Sequence, residues 1–321
     1  MNDVYKKYNL VVFGFSFIAL LTVGTYVYRV DPYWLFSRNP VWRDAWDGHN
    51  RVLDIKMRFA KSLEVVFRQP GSVIIGSSRV YRGMATDGLY GGDVYNLGIA
   101  SLRIREAYAY LRHVLRWTPV ENVVFGLDYF MFDHSRGEEE GFDPTLADFR
   151  YLFKAVPSSL LTFMSVGDTK LALEGEHRGD GYWTYSGYKY TNRRTAEEVT
   201  RVLNSFYNER TRITSQEYGY LKAIIALAKE NGVDLTFFIS PLNKRMITRM
   251  KAQGDYSNFT QWKMKVKSII GGNDILVYDF SESNPYYFDN TENGSTEFWI
   301  DTSHYSPLIG GWILREIGFQ G

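Results

Sequence analysis

Five short apolar runs, each continuous rather than alternating, recur along the chain at residues 72–76, 93–97, 122–127, 233–239 and 275–280. Strands with no polar face must be covered on both sides, which is the condition of a parallel sheet flanked by helices. Helical patterns separate the runs. Residues 102–117 have helical spacing and stop at Thr118-Pro119, Thr214 and Glu217 form a capping-box pattern ahead of a helix that ends at Asn231-Gly232, another helix ends near Gly271-Gly272, and a last one follows Pro307. The expected fold is α/β, a doubly wound parallel sheet of about five strands. Residues 52–67 add one amphipathic helix before the first strand, closed by Gln69-Pro70-Gly71.

Residues 8–28 carry no charged side chain and are bounded by Lys6-Lys7 and Arg29. That length spans a bilayer. The run is long for a cleaved signal, so it reads as a transmembrane anchor. Lys6 and Lys7 put the N-terminus in the cytoplasm and the remaining mass outside, at the cell surface or in the periplasm. Tyr26, Tyr28, Tyr33 and Trp34 read as an aromatic belt at the outer interface. The chain divides into a tail and anchor at 1–30, a juxtamembrane collar and helix at 31–71, and the α/β domain at 72–321.

The third and fourth runs are about a hundred residues apart, more than one crossover helix requires. The excess, at about 129–212, reads as an insertion with helices at 144–156 and 195–209. It also holds an acidic turn, Glu138-Glu139-Glu140, and the stretch 181–190, in which aromatics alternate with small and polar residues. Two readings of that stretch stay open. Trp183 and Tyr185 are substrate-binding faces for sugar rings, or a two-stranded hairpin packs its aromatics on the domain.

Composition excludes several classes. With 37 basic and 36 acidic residues the net charge is +1, which does not suit a nucleic-acid partner. The absence of cysteine removes disulfides and thiolate catalysis, and the five histidines show no metal-ligand pairing. No cofactor and no metal are expected.

Chemistry is concentrated at two places. Val73-Ile74-Ile75-Gly76-Ser77-Ser78-Arg79 runs as a strand into a glycine and two serines, and Asp301-Thr302-Ser303-His304 lies near the other end. Serine needs a base to take its proton and a third group to orient that base, and Asp301 and His304 supply both. Arg79, beside the nucleophile, meets an anionic substrate or pairs with Asp128.

With Asn96-Leu97-Gly98 and Gly126-Leu127-Asp128, these stretches resemble, in order, the four blocks of the SGNH or GDSL-type hydrolases. The resemblance implies Ser78 as nucleophile, His304 as base, Asp301 as its partner, and an oxyanion hole that includes Gly98 and position 128. Ser77 replaces the family's aspartate, and Asp128 replaces an asparagine whose amide would donate to the oxyanion. It further implies an esterase or O-acyltransferase. The N-terminal span makes the chain similar to membrane-anchored members that act on envelope polymers, with a cell-surface glycan as substrate and a membrane acyl-donor protein as partner. The alternative is a catalytically degenerate member that binds a glycan or an envelope assembly partner.

Overall fold

The computed structural model describes residues 2–45, 49–87, 89, 93–137, 141–174, 181–205 and 211–319. The acidic triplet 138–140 and positions 206–209 of the expected helix lie outside them. The described strands are β1 (Ser72–Gly76), β2 (Val94–Gly98), β3 (Asn122–Leu127), β4 (Gly181–Trp183), β5 (Lys189–Thr191), β6 (Asp234–Ile239) and β7 (Val277–Asp279). Five of them form one sheet in the order β2-β1-β3-β6-β7, with every neighbouring pair parallel. Strand order reverses at β1. That reversal makes the carboxyl ends of β1 and β3 the switch point, the place where doubly wound sheets bind ligands.

Helices α1 (Asn2–Val30), α2 (Val41–Ala45), α3 (Arg51–Ile55) and α4 (Met57–Arg68) precede the sheet. α5 (Ser78–Gly83) leaves β1, and α6 (Ile104–Trp117) joins β2 to β3. The insertion contributes α7 (Tyr151–Leu160), α8 (Phe163–Leu173) and α9 (Ala196–Ser205). α10 (Ser215–Glu230) enters β6, α11 (Lys244–Ala252) and α12 (Tyr256–Gly271) lead to β7, and α13 (Pro307–Glu316) follows.

Successive strand residues point to opposite faces. Ile74, Val124 and Phe238 pack with Val80 of α5 and with Ile309 and Ile313 of α13. Val73, Ile75, Val123, Phe125 and Phe237 turn the other way, into a larger core with Leu63 of α4, Tyr110 of α6 and Ile224 of α10. Both faces are covered, as continuous apolar runs require.

Three expectations change. The single helix at 52–67 is two, because Lys56 leaves the helical region at φ −111° and ψ 29°. The break lets α3 pack on α8 while α4 lies along the sheet. The helix at 144–156 is a 3₁₀ turn over Pro144–Ala147 followed by α7. Asp148 accepts the Arg150 N–H at 2.9 Å, a side-chain turn that competes with helix continuation. Tyr33 and Trp34 are not an interfacial belt. Each is 1% exposed, in the same core as the strands, with Trp34 edge-on to Trp42 at 5.0 Å. Asp31 folds the collar inward by accepting the N–H groups of Leu35, Phe36 and Ser37 at 2.6, 2.8 and 2.9 Å.

β4 and β5 pair as the antiparallel hairpin that was one reading of residues 181–190. Its outer face stacks Tyr182 on Tyr190, with ring centroids 4.8 Å apart. Its inner face holds Trp183, whose Nε1 donates to Asp54 at 2.9 Å. Lys61, buried in α4, donates to the carbonyls of Asn96 (2.7 Å) and Gly187 (2.6 Å) and so ties helix, sheet and hairpin together.

Candidate active site

Gly76 ends β1 where no side chain fits. A Cβ there would lie 2.3 Å from Val80 Cγ2 and 3.1 Å from the Gly126 carbonyl. The end of β1 therefore packs directly against α5 and β3. Ser77 caps the next helix by accepting the Arg79 N–H at 3.2 Å, which makes Ser78 the first residue of α5. A first-turn N–H has no intrahelical acceptor, which leaves the Ser78 N–H outside the bonding of α5. Ser78 is half-buried and reachable from solvent.

The other half of the site comes from the loop before α13. Asp301 accepts the N–H groups of Ser303 (2.8 Å) and His304 (2.9 Å), which folds 301–304 back on itself. That fold sets His304 Nδ1 2.9 Å from the Asp301 carboxylate and His304 Nε2 2.8 Å from Ser78 Oγ. A carboxylate only accepts, so Nδ1 carries the proton and Nε2 is free to accept from the serine hydroxyl. Arg194 Nη1 lies 2.8 Å from the second Asp301 oxygen. Burial alone would raise the Asp301 carboxyl, but His304 and Arg194 hold it well below the carboxylate range. Burial pushes the His304 imidazole below its ordinary 6.5 against the pull of Asp301, and Arg82 and Arg194 add to the depression.

Ser78, His304 and Asp301 are thus brought together, while the remaining expected residues sit elsewhere. Asp128 is buried beneath the turn, where it accepts from Ser77 Oγ and pairs with Arg79 Nη1. Arg79 is 1% exposed and also donates from Nε to the Ser303 carbonyl at 2.8 Å and from Nη2 to Ser303 Oγ at 3.2 Å. It is a clamp between the two halves of the site, not a substrate contact. This answers the open choice for Arg79 in favour of Asp128. A carboxylate turned to a guanidinium supplies no oxyanion donor. The Gly98 N–H donates to Asn96 Oδ1 at 2.9 Å, and Asn96 Nδ2 in turn donates to the carbonyls of Val80 (3.0 Å) and Met84 (2.7 Å). Gly98 therefore stands in a network that closes α5.

Trp183 is buried in the hairpin, and Tyr185 lies half-buried under the Arg68 guanidinium, 4.1 Å from its centroid. Neither ring offers a flat face to a sugar. Within the strands Trp183 turns inward and Tyr182 and Tyr190 outward, the in-and-out alternation of a hairpin packed on one side, while Tyr185 lies in the turn between them. Arg194 and Arg82 are site residues that sequence spacing did not single out. Arg82 donates to Thr191 Oγ1 at 2.8 Å, bringing β5 to the rim. An Arg193-Arg194 pair ahead of a helix carries no signal for a partner so far along the chain.

Fold and site together define a doubly wound α/β protein with a serine–histidine–aspartate hydrogen-bond chain at the switch point of its sheet. No protein-family model matches the chain, and no curated protein matches it. Among solved structures, a Streptococcus pneumonia protein described provisionally as a platelet activating factor overlays with a TM-score of 0.41 at 14% identity, over 84% of this chain and 94% of its own. A Bacteroides fragilis protein described provisionally as an acylhydrolase overlays with a TM-score of 0.42 at 10% identity, over 85% and 97%.

Proposed function

We propose that the chain is a membrane-anchored serine acyl-enzyme that transfers or removes O-acyl groups on an extracytoplasmic polysaccharide. The observation that carries this reading is the 2.8 Å contact between Ser78 Oγ and His304 Nε2, with Asp301 behind the ring. α1 supports the anchor, since Asp3–Val30 is long and apolar enough to cross a membrane. The SGNH-like order of motifs supports the ester chemistry.

In this mechanism Ser78 Oγ attacks the ester carbonyl as its proton passes to His304 Nε2. Asp301 stabilises the imidazolium that forms, and the Ser78 N–H donates to the developing oxyanion. His304 then protonates the leaving alcohol, which departs and leaves the acyl group on Ser78. A water or a sugar hydroxyl, deprotonated by the same nitrogen, attacks the acyl-serine. Water gives an esterase, and the sugar hydroxyl gives an O-acyltransferase with a membrane acyl-donor protein upstream. With Asp128 in the clamp, the oxyanion hole lacks one side-chain donor, which costs about a hundredfold to a thousandfold in rate. The acyl-enzyme is then slow to form and slow to decay.

The test is intact mass after exposure to an activated acyl ester or a serine-directed phosphonate. A single adduct on Ser78, absent from Ser78→Ala and suppressed in His304→Ala, is the expected result. An adduct that persists in folded Ser78→Ala overturns the assignment.

A further inference from the structure

Beside α1 the insertion builds a helical hairpin from α7 and α8 whose turn faces solvent with apolar side chains. At the turn Phe163 is 98% exposed, with Leu161 and Met164 about half exposed, and Phe153, in the first turn of α7, is 74% exposed. Residues 155–167 contain no ionisable side chain, and Lys154 and Asp168 bracket them. A surface loop of a soluble domain has no reason to carry such a tip.

We propose that the α7–α8 turn is a second membrane contact, dipping into the hydrocarbon of the leaflet that holds the outer end of α1. The proposal rests on the reading of α1 as an anchor. Three independent features carry it.

The first is depth. The uncharged stretch of α1, residues 8–28, is about 31 Å long at the helical rise per residue, close to the hydrocarbon thickness of about 30 Å. Leu161 meets α1 at Gly24, where a Cβ would lie only 3.0 Å from its Cδ2. Gly24 is four residues inside Tyr28, so the hairpin tip lies about 6 Å within the outer edge of that stretch. Leu160 and Leu161 face Phe17, Leu21 and Tyr28 across a groove of about 520 Å³ that continues the apolar surface of α1.

The second is polar satisfaction. Hydrocarbon offers no partner to a hydroxyl or a backbone group, so whatever enters must be satisfied internally. At the tip, Ser159 Oγ donates to the Val156 carbonyl (2.8 Å), Thr162 Oγ1 to Ser158 (2.9 Å) and Ser165 Oγ to Thr162 (2.7 Å). Thr162 and Ser165 also cap the start of α8 reciprocally.

The third is the base of the hairpin. Lys154 and Lys170 are three-quarters exposed on the two helices, in loose surface pairs with Asp143 (3.7 Å) and Glu174 (3.4 Å) that headgroup phosphates can displace. Asp168 is bound inward to Lys56 at 2.7 Å and to the Tyr33 hydroxyl, which fixes the hairpin to the collar. A protein held by one helix swivels freely above the membrane. Two contacts fixed to the same collar hold the carboxyl end of β1 at one height and one orientation.

The chain has no cysteine, so single labels are clean. Phe163→Cys, Phe17→Cys in α1, and Phe288→Cys, an exposed position away from the hairpin, are each labelled with an environment-sensitive fluorophore. The full chain is then reconstituted in phosphatidylcholine–phosphatidylglycerol vesicles. The Phe163→Cys probe should lose emission when doxyl-labelled lipid is included and be insensitive to aqueous iodide, as the Phe17→Cys probe should, while the Phe288→Cys probe shows the reverse. Iodide quenching at Phe163→Cys with lipid quenching kept at Phe17→Cys overturns the hairpin contact and leaves the anchor standing. Iodide quenching at both overturns the anchor reading as well. Protection of Phe163→Cys from both quenchers means that a second copy covers the tip, and this also overturns the proposal.

Discussion

At the scale of single residues, the site turns on one imidazole held neutral. Burial, Arg82 and Arg194 depress His304 more than Asp301 raises it, so Nε2 is unprotonated and able to take the Ser78 proton at neutral pH. Acylation of Ser78 should therefore be flat through neutrality and fall on the acid side, with a midpoint below 6.5. A kcat/KM profile with its acid limb above 6.5 would contradict this assignment. Stability has the same sign, because a base depressed by folding takes its proton more readily when unfolded. The His304 contribution is full above 6.5 and is lost as pH falls through its folded value. Arg194 tests the electrostatics separately. Arg194→Gln removes a cation that disfavours imidazolium, so the acid limb should move to higher pH while Ser78 remains acylatable. A limb that moves down or stays put would exclude that role. Ser78, Asp301 and His304 were legible through the order of four short blocks at successive strand ends, since a glycine-terminated apolar strand or an Asp-x-x-His alone is common. Arg194 was not, because its partner is set only by the packing of the insertion against the last loop.

At the scale of elements, the Arg79–Asp128 pair joins the start of α5, the end of β3 and the loop that carries His304. Both groups are buried, and breaking such a pair from one side typically costs about 3–5 kcal/mol. Asp128→Asn is therefore expected to lower the unfolding free energy by that amount, read as a lower denaturant midpoint at unchanged m, and to slow acylation with it, since His304 loses its register on Ser78. A faster enzyme in which stability is unchanged would mean that Asp128 acts as a brake on an oxyanion. The sheet elements were legible for a plain reason. A strand buried on both faces leaves a continuous apolar run, and β1 and β3 fall on the expected residues. The hairpin and the broken helices were less so. Trp183 and Lys189 alternate like an exposed platform until Asp54 is known to receive both from below, Lys189 at 2.6 Å. Likewise, nothing local at Lys56 announces that its ammonium is needed by Asp168.

At the scale of the whole molecule, the collar is a part of the core. Tyr33, Trp34 and Trp42 are all but fully buried in the cluster that holds β1 and β3, and Trp42 Nε1 donates to the Asp31 carbonyl at 3.0 Å. Arg68 of α4 donates to the Trp34 carbonyl at 3.1 Å, and Asn50 Nδ2 to that of Pro32 at 2.8 Å, so the collar is also wired to the helices beneath it. Removing large buried aromatics costs about 3–5 kcal/mol each, and a domain of this kind has about 5–15 kcal/mol in total. Two truncations should therefore behave differently. A chain that begins at Asp31 loses α1, with the buried Val27 and Val30 and the Tyr28–Phe36 ring contact, but keeps Tyr33, Trp34 and Trp42 in the core, and it should unfold in one cooperative transition in detergent-free buffer. A chain that begins at Arg51 loses all three rings together and should aggregate, or show expanded, dye-binding behaviour without a sharp melt. Circular dichroism with thermal denaturation separates the cases. Equal melting of the two would mean that the collar contributes nothing to the core it lies in. The Asp31 chain is then the form in which Ser78 labelling can be measured without a membrane, and the full chain is the form that reports what the membrane adds.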